Sequence, residues 1–558
     1  MRETASSGKD RVAMRHLPLI ALASLSACSL PGFESWQTGL GSTSSDTSTW
    51  GDSGELSSTG DPDPSDADSA EFPDSSGDST SEGTDTGEDG PPLVEPEKPE
   101  IVSWDLPPKV YAAGPVPLAV QTKHTTSVQI FVDGAEIGEL ISAGDGLFTG
   151  DLPVRGAVDN GTHMVEIIAK QGKYQDTRSP LYSVATPAPG SEAWTMEGSP
   201  GSRMNRIAVA AAGHLIAVGQ TKMAGIPRPT LQLRSSTGAE LGPETILDTR
   251  EGAAVDVAVL ADGRMWVAMN VRDANTDPRP RFVLLNADGT PTGTEAMGAI
   301  GRVVRAITTD PEGGCFAVGV ASNLGDWDAA YWRIDEAGTP QLSRMHDYHP
   351  ADQSPHTFGD LANDVVIDED VAYLVGISTG KHGAMDQNPT TRGMVVAMDR
   401  HNGDVITSLI APADAYFTQS AFFGAALHGS GVLVTGNGSD GSNSMYRIET
   451  SIFSVAEGRV LHLAEPPSEG LAFGSDVVLD SQGRALIVGT VTQAGKRRAF
   501  LVARMANAKG TQMFAHWFAG GLSSEGLGIA RDAYDRIFPV GYLTTNGEER
   551  SRFTLIHG

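Results

Sequence analysis

One short pattern recurs seven times in this chain, and it constrains the fold more than any other feature. It is clearest in "SDVVLDSQGRALIVGTV" (475–491), two alternating apolar runs around a tight polar turn. The same reading aligns 205–221, 255–271, 305–321, 363–378, 424–438 and 527–543 with it. Gly219, Gly319, Gly376, Gly436, Gly489 and Gly541 close six of the copies, and Met269 stands at that place in the second. Alternation around Asp/Asn/Gly turns predicts hairpins. A glycine near a strand end predicts a turn or close packing. A second hairpin follows each copy, as in "MVVAMDRHNGDVITSLI". Each repeat therefore supplies four strands, a to d, and the step is roughly 50 to 60 residues.

The last copy ends at "SRFTLIHG", which supplies strand c alone, while "EAWTME" (192–197) precedes the first copy as an unassigned strand. Pairing the two closes a ring and leaves no free sheet edge. The expectation is a seven-bladed β-propeller over 189–558. The core "D-x-x-G-x-x-x-V-x-G" resembles the β-propeller repeats of secreted bacterial proteins. That resemblance implies the fold and names no activity.

Upstream, 99–188 holds more alternating runs, "VQIFVDGAEIG" and "GTHMVEIIAKQG" among them, with a turn at Asp133-Gly134. The spacing predicts a sandwich of about seven strands. These pieces resemble the immunoglobulin-like domains of secreted bacterial proteins, although no cysteine pair is present. The whole folded part is expected to be all-β.

The first 27 residues join a basic start to the apolar run "LPLIALASLSA", too short to span a bilayer. Met14 offers a more compact start. Leu25-Ser26-Ala27-Cys28 resembles the bacterial lipobox, in which the cysteine becomes the acylated first residue of the mature protein. The resemblance implies a lipid anchor on Cys28 and a cell-envelope location, with Ser29 compatible with the outer membrane. Residues 28–98 are dominated by Ser, Thr, Gly, Asp, Glu and Pro; 46–97 hold 16 acids and no base. Such a stretch buries too little apolar surface to offset its entropy and reads as a disordered, self-repelling tether.

Overall charge is −30, which argues against nucleic acid as a partner. The partners expected are the membrane, through the lipid, and an envelope protein or polysaccharide. No cofactor fingerprint, P-loop or nucleophile elbow occurs, and no cofactor is implied. Cys28 and Cys315 are the two cysteines. Cys315 matches Leu215 and Met265 and reads as a buried inner-strand residue.

Long loops on a rigid scaffold usually carry binding. The a–b and c–d turns read as short, so the b–c/d–a face is where function is expected. It holds His346, His349, Asp352 and His356, residue types suited to a metal but in a spacing that matches no metal motif. It also holds Trp327, Tyr416 and Phe417, which suit stacking on a sugar or a partner. Phe422 and Phe423 read as the start of an inner strand. Asp256, Asp364 and Asp476 share one position. They read either as an ion site in the channel or, more simply, as acceptors of backbone hydrogen bonds near each blade's turn. The favoured function is a non-catalytic binding or scaffolding platform. The alternative is a propeller lyase or hydrolase, metal-assisted, acting on an extracellular polymer.

Overall fold

The computed structural model describes residues 95–558, apart from 275, 324–325, 348–358, 381–389, 413–417, 430, 440–445, 465–470, 494–495, 506–511 and 519–520. The described chain is almost entirely β.

The first ten strands are β1 (Glu100–Asp105), β2 (Lys109–Val110), β3 (Gly114–Lys123), β4 (Ser127–Val132), β5 (Ala135–Glu139), β6 (Ile141–Gly144), β7 (Leu147–Val154), β8 (Gly161–Gln171), β9 (Tyr174–Arg178) and β10 (Leu181–Val184). They make two sheets, β1-β3-β7-β6 and β2-β10-β8-β4-β5, with β9 on β8. One apolar core lies between them, with Leu118, Val120, Ile130, Leu152 and Ile167 fully buried. Asp133 and Gly134 both take positive φ, 50° and 86°, as a two-residue hairpin turn requires.

The remaining strands form seven four-stranded antiparallel blades, two of which are joined by a single parallel bridge, Trp327 to Gly359. Their inner strands are Ser202–Val209, Glu251–Val259, Arg302–Thr309, Gly359–Asp368, Gln419–His428, Leu471–Leu479 and Ser523–Arg531, numbered blades 1 to 7 in that order. The ring closes as the sequence predicts. Glu192–Pro200 pairs antiparallel with Glu548–Ile556, so the earliest propeller strand completes the last blade. The Thr195 and Thr554 hydroxyls meet across this seam at 3.0 Å. Each of the seven blade joints is one apolar cluster: Phe316 and Leu374 lie between blades 3 and 4, and Leu433 and Ile487 between blades 5 and 6. Burial of these flat faces is the main force holding the ring.

The a–b turns show why "D-x-x-G" recurs. Asp480 Oδ1 accepts hydrogen bonds from the Gln482 and Arg484 amides. Asp532 does the same for Tyr534 and Arg536. The third turn residue needs positive φ, which Gly483 supplies at 71° and Asp535 at 56°.

The closing glycines pack closely, as one of the two sequence readings expects, but their place in the strand differs. They lie within strand b, not at its end. In all seven blades the inner strand bulges by one residue at the same level, as between Met204 and Arg206 or Ala362 and Asp364. In six blades the bulge faces the closing glycine. A Cβ on Gly219, Gly319, Gly376, Gly436, Gly489 or Gly541 would run into an inner-strand carbonyl oxygen there. Close backbone approach accounts for glycine at these six positions, while blade 2 sets Met269 opposite the same bulge. Cys315 begins strand b (Cys315–Asn323), not the inner strand. It is fully buried, and burial pushes its thiol up.

Gly376→Ala should cost about 1–3 kcal/mol, the usual range for overpacking. Gly242→Ala, where a Cβ meets nothing within 4 Å, should leave the melting temperature nearly unchanged. Thermal unfolding of the two variants checks this.

Candidate functional site

The bulge sets the chemistry of the propeller axis. The residue just after it is Arg206, Asp256, Ala306, Asp364, Gly424, Asp476 and Gly528 in blades 1 to 7. The inner edge of an inner strand has no partner strand, so its amides need other acceptors. The three carboxylates supply them. Asp256 accepts from Val257 N at 2.8 Å and, across the joint, from Ile307 N at 2.8 Å. Asp364 accepts from Val365 N at 2.8 Å and from Ala425 N in the next blade at 2.8 Å. Asp476 accepts from Val477 N at 2.9 Å and from Ile529 N in the next blade at 3.0 Å. Blades 2, 4 and 6 thus each latch onto blades 3, 5 and 7. The latched strands carry Ala or Gly at the matching position, and a Cβ on Gly424 or Gly528 would run into the inner-strand backbone of the following blade, at Asp476 or Arg206.

These bonds go to backbone amides, as one of the two sequence readings expects, but not near the turns. They lie at mid-strand and join neighbouring blades. Asn side chains reinforce two of these joints and serve a third: Asn270 donates to the Val304 carbonyl and Asn363 to Phe422, while Asn205 donates to Ala254 between blades 1 and 2.

Three buried acids around one axis repel one another and lose hydration. Desolvation raises Asp256 to about 6 and Asp364 to about 8, and it raises Asp476 as well. Arg206 opposes all three shifts, with its Nη1 3.7 Å from Asp476 Oδ2. It also donates to the Leu527 carbonyl. Sequence reasoning singled out the acids and missed this arginine. The signal was present, because Arg206 aligns with Asp256 in the repeats.

The other candidates scatter around the opposite problem, the rim. Trp327 opens strand c of blade 3 (Asp326–Ile334), is 42% exposed and pairs with Gly359 of blade 4. His346 ends strand d of blade 3 (Pro340–His346), with Nε2 3.3 Å from Ser408 Oγ of blade 4. Burial lowers its pKa. His349, Asp352, His356, Tyr416, Phe417 and Cys28 lie outside the described residues. Among the described residues no three His, Cys, Asp or Glu side chains gather as a metal site. Phe422 is fully buried, 5.6 Å edge-on to Phe453, and so belongs to the core as the sequence suggests.

Loop lengths correct the expected contrast between faces. The b–c connections of blades 1, 3, 6 and 7 are each two residues long, and those at 224–225 and 546–547 are turns. On the other face, the c–d connection of blade 1 runs over 235–244. The long connections of the b–c/d–a face are 347–358, 381–389 and 411–418, all around blades 3 to 5.

No family model and no curated protein matches the chain. Solved structures resemble it at low similarity. The β-propeller domain of the Trilobed protease from Pyrococcus furiosus, described as having an open velcro topology, is 8% identical with a TM-score of 0.39, over 65% of this chain and 94% of that one. The polysaccharide lyase Uly1 is 8% identical with a TM-score of 0.41, over 63% and 89%. A Synechocystis apocarotenoid oxygenase is 11% identical with a TM-score of 0.35, over 76% and 93%. Likenesses this distant carry no functional argument. The propeller assignment rests on the strand ladders and the closed seam.

The axial acids bind protons more tightly when folded than when unfolded. Their contribution to stability is therefore whole below about pH 4, the ordinary Asp range, and is lost as pH rises through about 6 for Asp256 and about 8 for Asp364. Asp364→Asn should lose one interblade acceptor, costing about 1–3 kcal/mol at pH 5. It should also flatten the fall in melting temperature between pH 5 and pH 8. Arg206→Met should steepen that fall. Melting curves across this range check both signs.

Proposed function

We propose that the chain is a membrane-anchored envelope lipoprotein whose propeller is a non-catalytic binding or scaffolding platform. The anchor is Cys28, the spacer is the acidic stretch before residue 98, and the working surface is the b–c/d–a face. The observation that carries the platform reading is the use made of the axial carboxylates. Burial raises their pKa values, as a general acid would need. Yet both oxygens of each are taken by backbone amides. They hold blades together, with each oxygen already accepting a backbone amide.

The strand order of the small sandwich supports an immunoglobulin-like spacer. If β1, β3, β7 and β6 are read as A, B, E and D, the other sheet follows as G, F and C in β10, β8 and β4. Such a module would hold the propeller away from the lipid.

Two measurements test the proposal. Cys28→Ser should abolish acyl labelling and release the chain from the membrane fraction; unchanged labelling would remove the anchor. The released chain should bind a solubilised envelope protein or polysaccharide saturably, and substitution of Trp327, Tyr416 and Phe417 should weaken that binding.

A further inference from the structure

The rim contains a repeat of its own. Two residues before the partner of each closing position, strand c carries Arg228, Arg279, Arg392, Arg447, Arg498 and Arg550 in blades 1, 2, 4, 5, 6 and 7. Blade 3 has Asp328 instead. The six arginines sit at one register, at the b–c end of their strands and on the same face of each blade.

In four blades the arginine finds an acceptor within the chain. Arg228 donates to the Thr249 carbonyl and Arg392 to Thr390 Oγ1 at 3.4 Å. Arg279 lies 3.3 Å from Asp273, and Arg550 lies 3.9 Å from Glu548. Arg447 and Arg498 occupy the same place in blades 5 and 6, and among the described residues they make no hydrogen bond or ion pair. The nearest acid on Arg447's own face of strand c, Glu449, is buried and bonded to Ser451. Lys496, two residues before Arg498 on the same face, is exposed and equally unpaired among the described residues. Phe500 is next on that face, and across the ladder from it stands Trp517, 50% exposed, with ring centroids 6.0 Å apart.

We infer that the rim of blades 5 and 6 takes an acidic polysaccharide, with Arg447, Arg498 and Lys496 pairing its anionic groups and Trp517 stacking on a sugar ring. This rests on the platform reading above and names its ligand class. A guanidinium fork matches a carboxylate or a sulfate, and in blades 2 and 7 this position lies beside a carboxylate of the chain itself. Equivalent cations on successive blades suit a ligand whose charges repeat. The flat indole beside them suits a pyranose. The chain is strongly acidic overall, so non-specific attraction of polyanions does not account for binding here. The local donors must supply it.

The test titrates the full chain with polygalacturonate, dextran sulfate, neutral dextran and polyglutamate at low and at physiological salt. Saturable, salt-sensitive binding of polygalacturonate or dextran sulfate is expected, and whichever binds tells carboxylate from sulfate. Arg447→Gln/Arg498→Gln should weaken it at least about tenfold, the loss of one charge-assisted bond or more. Trp517→Ala should weaken it as well. Arg228→Gln, at the paired equivalent, should bind like the unaltered chain, and melting temperatures confirm that the exposed-site variants are folded. Three results would overturn the inference: no binding of either acidic polysaccharide, undiminished binding by the double variant, or polyglutamate binding as tightly. If the chain still captures an envelope component but none of these polymers, only this inference falls and the platform reading stands.

Discussion

The ring depends on a kink. Each inner strand carries one extra residue at mid-length, and the kink brings its backbone so close to strand b that six blades meet it with glycine. The bulge also turns the following side chain toward the next blade. Where that side chain is aspartate, it caps amides that no strand partner can reach. The hydrophobic joints supply most of the attraction between blades, but they are non-directional. The bulge and its carboxylate latches fix the angle and the register at which one blade meets the next.

The latches carry an electrostatic cost. Three carboxylates buried around one axis disfavour their own ionisation, and a single guanidinium relieves them. Arg206 is the one cation among the seven residues that directly follow a bulge. It is the counterion for a set of acids contributed by blades 2, 4 and 6. A propeller built this way has a polar hub whose carboxylates are already engaged by backbone amides. Recognition is then left to the rim, where blades depart from their common pattern. The arginine at the b–c end of strand c illustrates this. It is a repeat feature with local partners in some blades and a donor without a described partner in two adjacent ones.

Much of this is legible in the amino-acid sequence. Seven aligned hairpins, the orphan strand at 192–197 and the missing strand after residue 556 determined a closed seven-bladed ring, because period-two alternation reports directly which residues face a joint. The buried roles of Cys315 and Phe422 followed from the same alternation. Other features were misread for one reason. Alignment places Gly376 near the end of a repeat motif, but only the ladder puts it opposite a bulge. The loop contrast failed because strand ends, and so loop lengths, are set by pairing that apolar patterning does not mark.

The sequence by itself therefore determined the number of blades, their order and their closure, since these follow from local patterning repeated along the chain. It also carried the acidic segment and the Leu-Ser-Ala-Cys motif. Tertiary structure decided what the shared positions do. Whether Asp364 bonds its own turn or Ala425 N, 61 residues away, depends on the register between blades. Whether an arginine on strand c meets an acceptor depends on which neighbour the ring brings beside it. Both are relations across joints, and a single strand's pattern does not contain them.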